Sequence, residues 1–168
     1  MPAKRKFSGR ICHDGEYMYV ELVDPADPAK LKISPQIACY DDWEFFMARQ
    51  RAQPFRQILI GPTGMVRGLS YGEINWRQRV PDTEHGTKAF GAKVFPNTSG
   101  KVWITRVSFP LHGMLDSPVK PGDTVYMNII RVSNPSLAKE PRYGLDTWVS
   151  HTTVQEVDRL GTVKIAAD

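Results

Sequence analysis

"CYDDWEFFMA", Cys39 to Ala48, runs two adjacent carboxylates into an indole, a third carboxylate and two phenylalanines. Read as a strand, its successive side chains point to opposite sides of the sheet. Asp41, Trp43, Phe45 and Met47 then share one face, and Asp42, Glu44, Phe46 and Ala48 share the other. The row Trp43, Phe45, Met47 is apolar and belongs to a core. Glu44 is left on the opposite face beside Phe46. Asp41 and Asp42 diverge, so they make no catalytic dyad, and Asp42 with Glu44 would need a third partner. A carboxylate in mid-strand either pairs with a cation or solvent, or accepts hydrogen bonds from hydroxyl groups, and this strand alone leaves both readings open.

The surrounding chain has an all-β rhythm. Thirteen prolines and thirteen glycines punctuate short apolar runs at intervals of roughly 8–15 residues. Residues 7–13 lead into Asp14-Gly15, a strong hairpin dipeptide, and "EYMYVELV" returns from Glu16 to Val23. Within it Met18, Val20 and Leu22 read as the core side and Tyr17, Tyr19 and Glu21 as the outer side. Further strands are expected at 39–48, 55–61, 65–72, 89–95, 101–109, 124–133 and 160–166. Turns are expected at Pro62-Thr63-Gly64, Asn97–Gly100 and Lys120–Asp123. Only 48–52 and 111–115 suit a helical turn. About nine strands without a long helix predict an all-β, two-sheet antiparallel β-sandwich of jelly-roll type. Its core is expected to include Trp43, Phe45, Trp103, Val125 or Tyr126, and Ile129 or Ile130.

Composition sets the remaining bounds. A chain of 168 residues with 41% hydrophobic and 24% charged content reads as one globular domain, residues 1–168. The net charge of +4 is mild, and Lys4-Arg5-Lys6 is its only basic cluster. Without a stripe of basic and aromatic residues, a nucleic-acid partner is not expected. No apolar run approaches the ~20 residues of a membrane helix, and no leader pattern follows Met1. Cys12 and Cys39 both fall in expected strands and read as two buried free thiols.

The Asp-x-x-Glu-aromatic-Phe strand of residues 41–46 resembles the signature strand of family-nine carbohydrate-binding modules, within a wider sandwich superfamily that includes the DOMON domains. Other segments fall in the same order. "HDGEYMYVELV" (13–23) resembles the opening strand–Asp-Gly–strand unit, and "FRQILIGPTGMV" (55–66) the next hairpin. "GKVWITRVSFPLHGM" (100–114) is similar to the Gly-x-Trp strand that ends in Pro and a helical turn. "KPGDTVYMNIIRV" (120–132) is similar to the Pro-Gly-Asp strand, and "TWVSH…DRLGTVKI" to the closing loop tryptophan and Leu-Gly strand.

The resemblance implies a non-catalytic sandwich, part of a larger secreted or periplasmic enzyme that acts on glycans, and a carbohydrate ligand. In such sites aromatic plates stack on the C–H faces of a sugar ring while carboxylate, amide and guanidinium groups bind its hydroxyls. By position Glu44 corresponds to the sugar-reading acid, Gln57 to the polar residue of the neighbouring strand, and Trp148 to the loop tryptophan. Ala38 stands near the place of the other plate, so Tyr40, Trp76 or Tyr71 would substitute. Trp76 lies in the polar stretch "EINWRQRVPDTEHG" and is the candidate second plate. Asn128 and Arg131, on one strand, face opposite ways; both are candidate ligand contacts, and alternation does not decide which reaches the ligand.

Trp103 alternates with apolar neighbours and reads as core. His13, His85, His112 and His151 lack metal-ligand spacing, so zinc is not expected. The pairs Asp24 with Asp27 and Asp82 with Glu84 could contribute to a structural calcium site; no other cofactor is expected. A haem-binding electron-transfer domain of the DOMON type is the alternative from another class, resting on Met18, Met47, Met65, Met114 and Met127 with His112 near Met114. A structural sandwich packed against a catalytic partner is the third. An enzyme is least expected: "GPTG" lacks the lysine of a phosphate loop, and no nucleophile elbow or convergent carboxylate pair is visible.

Overall fold

The computed structural model describes residues 6–33, 40–72, 79–81, 89–97, 100–115, 117–133, 144–149 and 156–167. Two antiparallel sheets enclose the core. The smaller sheet has the order β1-β2-β8-β7, with β1 Ser8–His13, β2 Tyr17–Asp24, β7 Lys93–Asn97 and β8 Trp103–Pro110. The larger has the order β10-β9-β3-β4-β5-β6, with β3 Asp42–Ala48, β4 Phe55–Ile60, β5 Val66–Tyr71, β6 Arg79–Pro81, β9 Thr124–Ser133 and β10 Gly144–Thr147. A further strand, β11 Gly161–Lys164, pairs with the first half of β9, while β10 pairs with its second half.

The β1–β2 hairpin forms where Asp14-Gly15 was expected. Gly15 takes a φ of +89°, open to glycine without steric cost. The Asp14 carboxylate accepts from the amides of Glu16 and Tyr17 at 3.0 and 2.7 Å, closing the turn. Alternation then sorts the side chains. Met18, Val20 and Leu22 of β2, Trp43, Phe45 and Met47 of β3, Trp103, Val107 and Phe109 of β8, and Val125, Met127 and Ile129 of β9 fill the space between the sheets. Val125 and Ile129 are thus the inward members of their pairs. Ile130 belongs with Phe46, Phe55, Leu59, Leu69 and Tyr71 to a second apolar cluster on the far side of the larger sheet. That side is buried as well.

Several expectations are corrected. Residues 89–91 form a 3-10 turn rather than strand, with Ala89 and Phe90 at φ of +35° and +59°. The Phe90 ring packs where Gly68 leaves room and beneath the Arg56 guanidinium, 4.5 Å away. Residues 111–115 are helical (α1), whereas 49–52 form bends. The short strands β6 and β10 were not anticipated. Cys12 is exposed, not buried, because β1 is an edge strand and Cys12 shares the outer face with Tyr19. Cys39 lies outside the described residues.

Candidate functional site

Glu44 and Gln57 come together as their placement on adjacent strands predicts. In the β3–β4 register Phe46 is opposite Gln57, and Glu44 is the next residue of β3 on the same face. The Gln57 amide Nε2 donates to Glu44 Oε2 at 2.9 Å. Tyr71, on β5, completes the chain by donating its hydroxyl to Gln57 Oε1. Its ring stacks on Phe55, centroids 4.2 Å apart and planes 7° from parallel, which fixes the hydroxyl. Tyr71 was expected only as a substitute plate; here it is a buried hydrogen-bonding member of the network. The face is covered, with Glu44 7% exposed and Gln57 3%.

Asp42 shares the outer side of β3 with Glu44 and is completely buried. Among the described residues neither of its carboxylate oxygens has a hydrogen-bond partner. Burial pushes its carboxyl up to about 9; the neighbouring charges of Glu44 and Asp41 reinforce the rise, and Arg131 opposes it. At neutral pH Asp42 is therefore a neutral acid beside Glu44. Sequence reasoning missed this, since Asp42 looks like any hydrophilic strand end until the sheet face is covered.

Asn128 and Arg131 separate to the two faces. Asn128 pairs across from Phe46 on the Glu44 side. Its Oδ1 accepts from the amide of Val149 at 2.9 Å, and its Nδ2 donates to the Val149 carbonyl at 3.5 Å. The side chain thus holds the chain in the gap between the β10 and β11 pairings. The Trp148 amide donates to the Ile129 carbonyl at 2.9 Å in the same gap. Asn128 anchors the tryptophan segment and is itself fully buried. Trp148 is 47% exposed. It sits at the β9 edge beside Gly161.

The expectation that Arg131 reads a ligand is corrected. Arg131 points inward, with its guanidinium 5.7 and 4.7 Å from the rings of Trp43 and Trp103. It donates to Asp24 Oδ2 at 2.7 Å, to Asp41 Oδ1 at 2.8 Å and to the Val132 carbonyl. Its donors are committed to the core.

No family model matches the chain, and no curated protein matches it. Solved structures do. A family-nine carbohydrate-binding module from Caldicellulosiruptor kristjanssonii, solved with cellotriose, aligns over 100% of this chain and 78% of its own at 11% identity, with a TM-score of 0.71. The module from that organism solved with glucose aligns over 98% and 78% at 10% identity, TM-score 0.69. A protein from Bacteroides uniformis ATCC 8492, provisionally assigned as carbohydrate-binding, aligns over 96% and 78% at 14% identity, TM-score 0.69. The fold is that of the family-nine carbohydrate-binding modules.

Within this family-nine-like sandwich the other expected groups fall as follows. Trp76 lies outside the described residues, as do Asp82 and Glu84. Tyr40, just before β3, is exposed. Asp24 Oδ2 accepts from Arg131, and Asp27 caps the turn at residues 28–30 by accepting from the Ala29 amide at 3.1 Å. Among the described residues no group of three or more His, Cys, Asp or Glu side chains, Asp24 and Asp27 included, is placed to hold a metal ion. The haem reading is not favoured either. Met18, Met47, Met114 and Met127 are packing atoms of the core, and His112 points to solvent. No helix among the described residues is long and apolar enough to cross a membrane.

Proposed function

We propose that this domain is a non-catalytic carbohydrate-binding module, carried by a glycan-active enzyme that is secreted or periplasmic. The observation that carries the reading is the hydrogen bond between Glu44 and Gln57, on the two positions that the family resemblance gives to sugar recognition, within a fold that aligns over 78% of each of the modules solved bound to glucose and cellotriose. A carboxylate and an amide side by side offer an acceptor pair and a donor, the combination that vicinal sugar hydroxyls take. Trp148 supplies an exposed indole for a ring face, on a segment fixed by Asn128, and Trp76 is the second plate. Each hydroxyl exchanges water for an equivalent bond, so the affinity is modest.

A second reading has its own observation. Glu44, Gln57 and Tyr71 are buried and linked in one hydrogen-bonded chain, as they would be in a structural sandwich packed against a catalytic partner. Titration calorimetry with glucose, cellotriose and a panel of oligosaccharides separates the two. Saturable binding weakened by Glu44→Gln supports the module; a parent protein that binds none of the panel supports the scaffold.

A further inference from the structure

The opposite side of the molecule carries a second feature, independent of the Glu44 face. The outer surface of the smaller sheet holds an open groove of about 640 Å³, within the range of small-ligand sites. Two rows of outward side chains cross it. One runs Arg10, Glu21, Arg106, Phe95 and the other Cys12, Tyr19, Ser108, Lys93, on β1, β2, β8 and β7 in turn.

Two aromatic rings are presented to solvent on this surface, Phe95 at 59% exposure and Tyr19 at 40%. Both rings share one sheet face, and each has a cation close by in the register. Strand spacing and register put their backbones about 12 Å apart. The Tyr19 ring is held in place by its hydroxyl, which donates to Asp14 Oδ2 at 2.7 Å. Arg106 donates from Nε to Glu21 Oε2 at 2.7 Å, so that pair is mutually neutralised. Arg10 and Lys93 flank it on either side, both exposed, and neither makes an ion pair of its own among the described residues. The groove therefore combines two stacking surfaces with an excess of positive charge.

We propose that this groove binds an acidic oligosaccharide built from uronic acid units. Each such unit has an apolar C–H face for an aromatic ring and a carboxylate on the same pyranose. One unit can therefore satisfy Tyr19 with Arg10, and another Phe95 with Lys93. The Arg10 guanidinium matches the two oxygens of a carboxylate. In an acidic peptide the apolar and anionic groups sit on different residues, and the pairing of ring with cation at each end of the groove has no counterpart.

The test is titration of the intact domain with tetragalacturonate, alongside cellotriose and a hexaglutamate peptide. The expected result is saturable binding of tetragalacturonate that weakens at least about tenfold from low salt to near-molar salt, as an exposed charge pairing must. Phe95→Ala and Arg10→Gln should each weaken it about tenfold, by analogy with loss of a stacking ring or a charged hydrogen bond. Both positions are exposed, and the melting temperature should not move. Glu44→Gln should leave this binding unchanged, so failure here is separable from failure of the Glu44 face. Absence of tetragalacturonate binding, equal affinity for cellotriose or hexaglutamate, or indifference to Phe95→Ala would each overturn the proposal.

Discussion

Arg131 and Asp24 meet at 2.7 Å across the sandwich, from strands of different sheets, with neither side chain exposed. The same guanidinium holds Asp41 at the entry to β3 and lies against the indoles of Trp43 and Trp103. A buried charge cluster of this kind adds little net stability over an apolar core, but removing one member leaves the others desolvated and uncompensated. Arg131→Ala should therefore lose about 3–5 kcal/mol of unfolding free energy. Arg131→Lys should recover only part, because an ammonium cannot fork between two carboxylates. Urea denaturation checks both, and a loss below that of a surface substitution would remove the cluster from any structural role.

Asp42 gives a pH dependence of definite sign. Its folded-state carboxyl, at about 9, binds a proton more tightly than the carboxyl of the unfolded chain. Its contribution to stability is therefore fully present below the ordinary carboxylate range, declines as pH rises through and above it, and levels off beyond about 9. Asp42→Asn, neutral at every pH, should flatten that decline and stabilise the protein at pH 8 by an amount on the order of a few kcal/mol. Denaturation of both proteins at pH 5, 7 and 9 provides the measurement. Parallel stability curves would show that Asp42 is ionised in the fold.

Binding and stability should separate between neighbouring residues of β3. Glu44→Gln and Trp148→Ala should each weaken oligosaccharide binding about tenfold or more, as expected for a charged hydrogen bond and a stacking ring, and Trp148→Ala, at an exposed indole, should move the melting temperature little. Trp43→Ala removes a fully buried indole and should lose ~3–5 kcal/mol. Calorimetry and thermal melts on the three variants test this, and unchanged affinity in the first two would reassign the face.

Gly161 shows why a glycine follows Leu160 at the start of β11. A Cβ there would lie 2.6 Å from Val149 Cγ2 and 3.6 Å from Trp148 Cζ3. Gly161→Ala should press on the Val149 side chain and strain the Trp148–Val149 segment, which Asn128 holds by one donated and one accepted hydrogen bond. We expect a loss of about 1–3 kcal/mol from overpacking, with a shifted Trp148 fluorescence maximum. An unperturbed spectrum would mean that the Val149 side chain takes up the added methyl and the segment stays on β9.

Local pattern made much of this protein legible in the sequence. Alternation in "DDWEFFMA" assigned Trp43, Phe45 and Met47 to the core and Glu44 to the other face, because side-chain direction in a strand depends only on position. Asp14-Gly15 announced its hairpin, since a carboxylate and a glycine close that turn by themselves. The same rule sent Asn128 and Arg131 to opposite sides without saying which side held the core. The Ala89–Gly91 turn, by contrast, was hidden, because its left-handed residues are held by a pocket at Gly68 on a distant strand.

What only the tertiary structure decided is the company each polar group keeps. Arg131 takes partners 107 and 90 residues away, and Gln57 takes Glu44 and Tyr71 from the strands on either side of its own. Cys12 is exposed because β1 ends its sheet, and Asp42 holds a proton because its face is covered. Strand periodicity is a property of a few consecutive residues, whereas charge state and hydrogen-bond partners depend on which strands pair and what excludes water above them, and those are set by the assembled sheets alone.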